Sequence, residues 1–119
     1  MSRRDDLIAL RHMLDHAREA ISLSQGKTRE DLDSDRVLNL ALVRLLEIVG
    51  EAANRIPREE RARHREIPWP EIVDLRNRLI HGYDSVDFDI LWEVITADLP
   101  PLIVALDAII PAEESRQSG

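Results

Sequence analysis

Leu7, Leu10, Leu14, Ala17 and Ile21 recur at steps of three and four residues, which places them on one stripe of a helix. The pattern predicts a first helix from about Arg4 to Ser24. Ser2 followed by Asp5 has the spacing of a capping box, with Asp in the acidic position. Gln25-Gly26 supplies an end, because glycine tolerates a left-handed C-terminal cap. A polar connection over residues 27–33 leads to a second helix, capped by Asp33 or Ser34 and running to about Arg55. Ile56 precedes Pro57, and a residue before proline is disfavoured from helical geometry. This helix is apolar around most of its circumference, through Val37, Leu38, Leu42, Leu45, Leu46, Val49, Ala52 and Ala53. A single polar stripe crosses it: Arg44, Glu47, Glu51 and Asn54. Such a helix belongs at the centre of a bundle or on the face of an oligomer.

A third helix is predicted over residues 70–81, with Pro70 in the first turn, Ile72, Leu75 and Leu79 inward, and Gly82 as the stop. Asp87 caps a fourth, which carries Ile90, Leu91, Val94 and Ile95. Pro100-Pro101 is expected to kink or interrupt it, since proline in a helix interior removes a hydrogen bond and clashes with the preceding turn. The pattern resumes at Leu102 and ends at Pro111. Residues 112–119 read as a disordered tail, leaving one domain over residues 1–111. Strand-like alternation and internal repeats are absent. The fold class is all-α, an antiparallel four- to five-helix bundle.

Composition narrows the function. A chain of 119 residues without cysteine excludes disulfides and thiolate metal sites and fits a reducing, cytoplasmic setting. The N-terminus lacks the apolar stretch of a signal peptide, and no apolar run of 18 or more residues suggests a membrane partner. The net charge of −7 argues against binding nucleic acid with the whole surface, though it leaves room for a local basic patch. The basic residues are 15 arginines and one lysine. Arg55, Arg58, Arg61, Arg63 and Arg65 crowd one window with Glu59, Glu60 and Glu66 between them. That window is either a solvated segment with internal ion pairs or a phosphate-facing rim.

The densest chemistry lies in Leu75-Arg76-Asn77-Arg78-Leu79-Ile80-His81-Gly82-Tyr83-Asp84. On an ideal helix Asn77 and His81 share a face, whereas Arg76 and His81 point roughly 140° apart. Arg76 and His81 converge on one ligand only if the helix ends near His81 or a second chain supplies one of the pair. Simpler roles exist for each residue. A histidine near a helix C-terminus complements the dipole. Arg76 can pair with Glu47 or Glu51, which then anchor an arginine rather than act as acid and base. Trp69 and Trp92 suit a core or an interface. His12 and His16, four apart, have a metal-compatible spacing but no third ligand in sequence.

Arg76-x-x-x-x-His81-x-Tyr83 resembles the Arg-x4-His-x-Tyr signature of the HepT-like family of HEPN toxins. The surroundings are similar too: Leu45 to Ala53 resembles the family's glycine-and-glutamate stretch, Ile67-Pro68-Trp69 its lead-in to the site helix, and Asp87 to Trp92 the segment after the motif. The resemblance spans about Leu7 to Ile110. It implies a metal-independent, cofactor-free endoribonuclease acting on RNA at the interface of a homodimer. It also implies a toxin of a type II or type VII-like toxin–antitoxin pair, held in check by a minimal nucleotidyltransferase. In that assignment Arg76 and His81 are catalytic, and Asn77, Arg78 and Tyr83 bind or orient substrate. Tyr83 also accepts AMP, and Glu47 and Glu51 support the site. Two alternatives stand beside it: a non-catalytic helical partner of a nucleotidyltransferase, and a nucleotide-binding module.

Overall fold

The computed structural model describes residues 2–82 and 85–118 and is an all-α bundle with one two-residue-by-two-residue hairpin. Helix α1 spans Arg3–Ser24, α2 Asp31–Ser34, α3 Arg36–Asn54, α4 Arg58–Ala62, α5 Trp69–Val73 and α6 Leu75–Leu79. Strands β1 (Ile80–His81) and β2 (Ser85–Val86) follow, then α7 (Phe88–Glu93), a π-helical turn (Val94–Asp98) and α8 (Leu99–Ser118).

The first helix forms as its sequence dictates. Ser2 and Asp5 make a reciprocal capping box, and Leu7, Leu10, Met13, Leu14, Ala17 and Ala20 are buried. That face packs along α3, and α8 covers α1 from another side. The α3 cap is Asp35, whose side chain accepts from the Leu38 N–H, and not Asp33 or Ser34, which lie in the separate turn α2. That four-residue turn buries Leu32, whose carbonyl accepts from the buried Asn39 side chain at 2.9 Å.

Gly50 decides how close the site helices come to α3. A Cβ at this position would stand 3.0 Å from the Ile72 carbonyl oxygen, so glycine lets α5 rest its backbone on α3 without displacing that carbonyl. The expected helix over residues 70–81 is shorter and broken. Asp74 interrupts it between α5 and α6, and Ile80 is already extended, with φ −107° and ψ 121°. Gly82 at φ +71° helps the chain reverse, and the Asp87 N–H donates to the Leu79 carbonyl at 2.8 Å, closing the hairpin at its base. Local backbone bonding of this kind overrides the helical period at its last turn.

The second half of the chain departs furthest from expectation. Pro100 and Pro101 do not interrupt the run. They lie in the first turn of α8, directly after the π turn, inside the continuous run. Pro111 lies inside the helix, which continues to Ser118. The tail expected over residues 112–119 is therefore corrected through Ser118: Glu113 is buried and bound by side chains from residues 63, 64 and 116. The unbroken run Phe88–Ser118 is long and apolar enough to match a membrane span by length and composition, contrary to the sequence reading. Leu91, Val94, Ile95, Leu99, Leu102 and Leu106 along it are buried in the bundle core.

Candidate functional site

The polar stripe of α3 and the first turn of α6 form a shallow cleft of about 250 Å³, lined by Glu47, Gly50, Glu51, Asn54, Val73, Arg76 and Asn77. Arg76 Nε stands 3.3 Å from Glu47 Oε2. The carboxylate is mostly covered, at 18% exposure, while the arginine side chain remains 69% exposed. Glu47 thus holds the guanidinium by one edge and leaves its other donors facing solvent. Glu51 lines the same cleft but pairs with Arg44 at 3.3 Å. Of the two carboxylates expected to anchor Arg76, Glu47 does so.

Asn77 donates to Asp74 Oδ1 at 2.8 Å, which pins it at the helix start rather than beside the histidine. Arg78 is turned away. Residues two apart on a helix differ by about 200°, and the Arg78 guanidinium meets Asp98 of the π turn at 3.3 Å. There it lines a separate, mainly apolar cavity of about 360 Å³ with Ile72, Leu75, Val94, Leu99 and Leu102. Arg78, expected with Asn77 and Tyr83 to bind or orient substrate, therefore lies apart from Asn77 within one chain.

His81 sits on β1, paired across the hairpin with Ser85, and its ring is 57% exposed. Its Nε2 lies 3.8 Å from Asp87 Oδ2. It does not line the Arg76 cleft. The helix does end before His81, yet within one chain the two residues stay in adjoining but separate environments. Tyr83, expected to bind substrate and to accept AMP, lies outside the described residues.

Sequence reasoning passed over a buried polar cluster between α4 and α8. His64 Nε2 stands 3.1 Å from Glu113 Oε1 and 3.4 Å from Glu60 Oε1. Burial pushes the Glu113 carboxyl up, but the Arg116 guanidinium beside it, with Arg63, outweighs that and holds it below the usual carboxylate range. Glu60, His64 and Glu113 are near enough together to suit a small cation. The two guanidiniums already supply the positive charge, so the cluster acts as a tie between α4 and α8. Arg61 is likewise structural: it donates to the carbonyls of Ala53, Asn54 and Ile56 and satisfies the end of α3. Of the five arginines in that window, Arg61 and Arg63 are thus engaged in internal bonding. Trp69 fits its core reading, with its indole N–H donated to the His64 carbonyl at 3.0 Å. His12 and His16 line a third cleft with Arg44, Glu51 and Arg55, and their rings meet edge to face.

An all-α bundle that displays arginine on its site helix, and histidine five residues later on the turn that ends it, has the build of the HEPN class. The chain belongs to the HepT-like family: the model described as "Ribonuclease HepT-like" matches residues 13–109. It is 39% identical over 105 residues to "Putative RNase TTE0752" of Caldanaerobacter subterraneus subsp. tengcongensis, covering 88% of this chain and 94% of that one. It is 41% identical over 93 residues to "Probable ribonuclease HepT" of Thermococcus cleftensis, covering 75% and 84%. A third relative, "Putative RNase MJ1380" of Methanocaldococcus jannaschii, is 33% identical over 102 residues, covering 86% and 94%. No solved structure matches.

Proposed function

We propose that this protein is a metal-independent endoribonuclease toxin whose working groups are Arg76 and His81. The observation that carries the reading is a guanidinium held by Glu47 at one edge only, with an exposed imidazole on the turn that follows. RNA carries its own nucleophile. His81 takes the proton of a 2′-hydroxyl, or donates one to the departing 5′-oxygen; histidine suits both tasks near neutral pH. The 2′-oxygen forms a bond to phosphorus as the P–O5′ bond breaks, leaving a 2′,3′-cyclic phosphate and a 5′-hydroxyl. Arg76 stabilises the charge that builds on the phosphoryl oxygens.

Within one chain His81 lies outside the Arg76 cleft, so the reading includes a homodimer in which two copies bring both groups to one phosphate. The exposed side of α3 supports this. Val37 is 78% and Leu40 52% exposed, and they continue at helical spacing into Arg44, Glu47 and Glu51 beside Arg76. A second copy laid along that stripe covers the apolar end and brings the two clefts together.

The Arg-x4-His-x-Tyr motif further supports a toxin–antitoxin setting, with a nucleotidyltransferase partner that attaches AMP to Tyr83. A bulky anion there would repel an RNA phosphate. Purified protein in chelator should cleave RNA, and Arg76→Ala and His81→Ala should each cut at least about 100-fold more slowly. Variants that cut at the wild-type rate would overturn the assignment and leave a non-catalytic helical partner. Mass spectrometry of the Tyr83 peptide after incubation with ATP and the partner tests the modification by a gain of one AMP.

A further inference from the structure

Asp87 is held more tightly than a surface carboxylate. Its N–H donates to the Leu79 carbonyl at 2.8 Å. Its Oδ1 accepts from the N–H groups of Asp89 at 3.0 Å and Ile90 at 3.1 Å, capping α7. Three backbone bonds thus fix the residue, and its second oxygen, Oδ2, is left 3.8 Å from His81 Nε2. The hairpin register reinforces the placement: Ile80 pairs with Val86 and His81 with Ser85, so Asp87 follows the strand directly opposite the histidine's own. The next acidic side chain on α7, Asp89, is taken by Arg29 at 2.7 Å.

We infer that Asp87 is the positioning residue for His81. Its second oxygen orients the imidazole through Nε2 and leaves Nδ1 to exchange the proton with substrate. The inference rests on the ribonuclease reading of the site. A carboxylate on one ring nitrogen fixes the tautomer and the direction of the other, which a general base requires. The 3.8 Å separation is a charge contact longer than a hydrogen bond. Catalytic contacts of this kind are commonly long without substrate and shorten when it binds.

The cap and the positioning role separate cleanly by substitution. Asparagine caps helices about as well as aspartate, so Asp87→Asn keeps α7 and removes the charge facing His81. Asp89→Asn removes the next acid along, whose carboxylate is paired with Arg29. The expected result is an Asp87→Asn protein that melts near the wild-type temperature and loses about 10-fold or more in kcat with little change in KM. Asp89→Asn should match wild type in all of these. An activity-independent readout is the pair of ring ¹⁵N shifts of His81, assigned against His81→Gln, which report the nitrogen that carries the proton. They should change in Asp87→Asn and stay in place in Asp89→Asn. Unchanged His81 shifts in Asp87→Asn would overturn the inference, whatever the activity. Changed shifts in a protein whose wild type does not cut RNA would instead overturn the ribonuclease reading and leave the pairing intact.

Discussion

Glu47 and Glu113 show how one residue type serves opposite ends at different depths. The Glu47–Arg76 pair lies at the surface, where such pairs contribute about 0–1 kcal/mol to stability, so its value lies in aiming a guanidinium. Glu113 is buried. Burial opposes its charge, yet Arg116 and Arg63 bring its carboxyl below the ordinary range. A carboxyl lowered in the folded state contributes stability above its unfolded value and loses it as the pH falls. Asp6 carries the opposite sign: burial raises its carboxyl, and its Oδ1 finds no partner among the described residues. Thermal melts from pH 3 to pH 8 should show Glu113→Gln less stable than wild type at neutral pH, with the gap closing below about pH 4. Asp6→Asn should be the more stable protein at neutral pH. A Glu113→Gln melt coinciding with wild type throughout would refute the tie. At this scale the sequence was informative where partners are near in the chain. The Ser2–Asp5 box and the Asp87 cap are three-residue patterns, and Arg76 had only two acidic candidates on one stripe. His64 was illegible because its partner Glu113 lies 49 residues away.

Among the elements, the α3–α5 contact is the one on which the cleft depends. The Cβ of an alanine at position 50 would meet the Ile72 carbonyl, a backbone atom that can yield only by moving α5. Gly50→Ala should therefore cost about 1–3 kcal/mol, as overpacking does, and reduce RNA cleavage by shifting Arg76 from Glu47. Denaturant unfolding measures the first effect; a variant as stable as wild type would contradict the close approach. The long helices α1 and α3 were legible because their apolar stripes run for several turns. The ends were not. Asp35 displaced Ser34 as a cap because an extra turn buries Leu32. The last turn of the site helix became a hairpin through the pairing of residues 80–81 with 85–86, the backbone bond at its base and a positive-φ glycine. Residues 112–118 stayed helical past Pro111 because Glu113 is anchored across the bundle, a tertiary effect invisible to local propensity.

The whole molecule is elongated, 50 × 30 × 21 Å, with the exposed stripe of α3 carrying both the apolar residues Val37 and Leu40 and the polar residues of the cleft. The motif Arg76-x4-His81-x-Tyr83 is legible in the chain, but within one chain its arginine and histidine do not share a cleft, and the proposed homodimer is what would join them. Arg76 lines the α3 cleft and His81 faces Asp87, so a working site made by two copies needs an intact Arg76 from one and an intact His81 from the other. Mixing inactive Arg76→Ala and His81→Ala proteins under conditions that exchange subunits tests this directly. Random pairing makes about half the dimers mixed, and each mixed dimer has one complete Arg76–His81 combination. The mixture should recover RNA cleavage to roughly a quarter of the wild-type rate if such sites act independently. A mixture as inactive as either parent, despite demonstrated subunit exchange, would contradict the shared site.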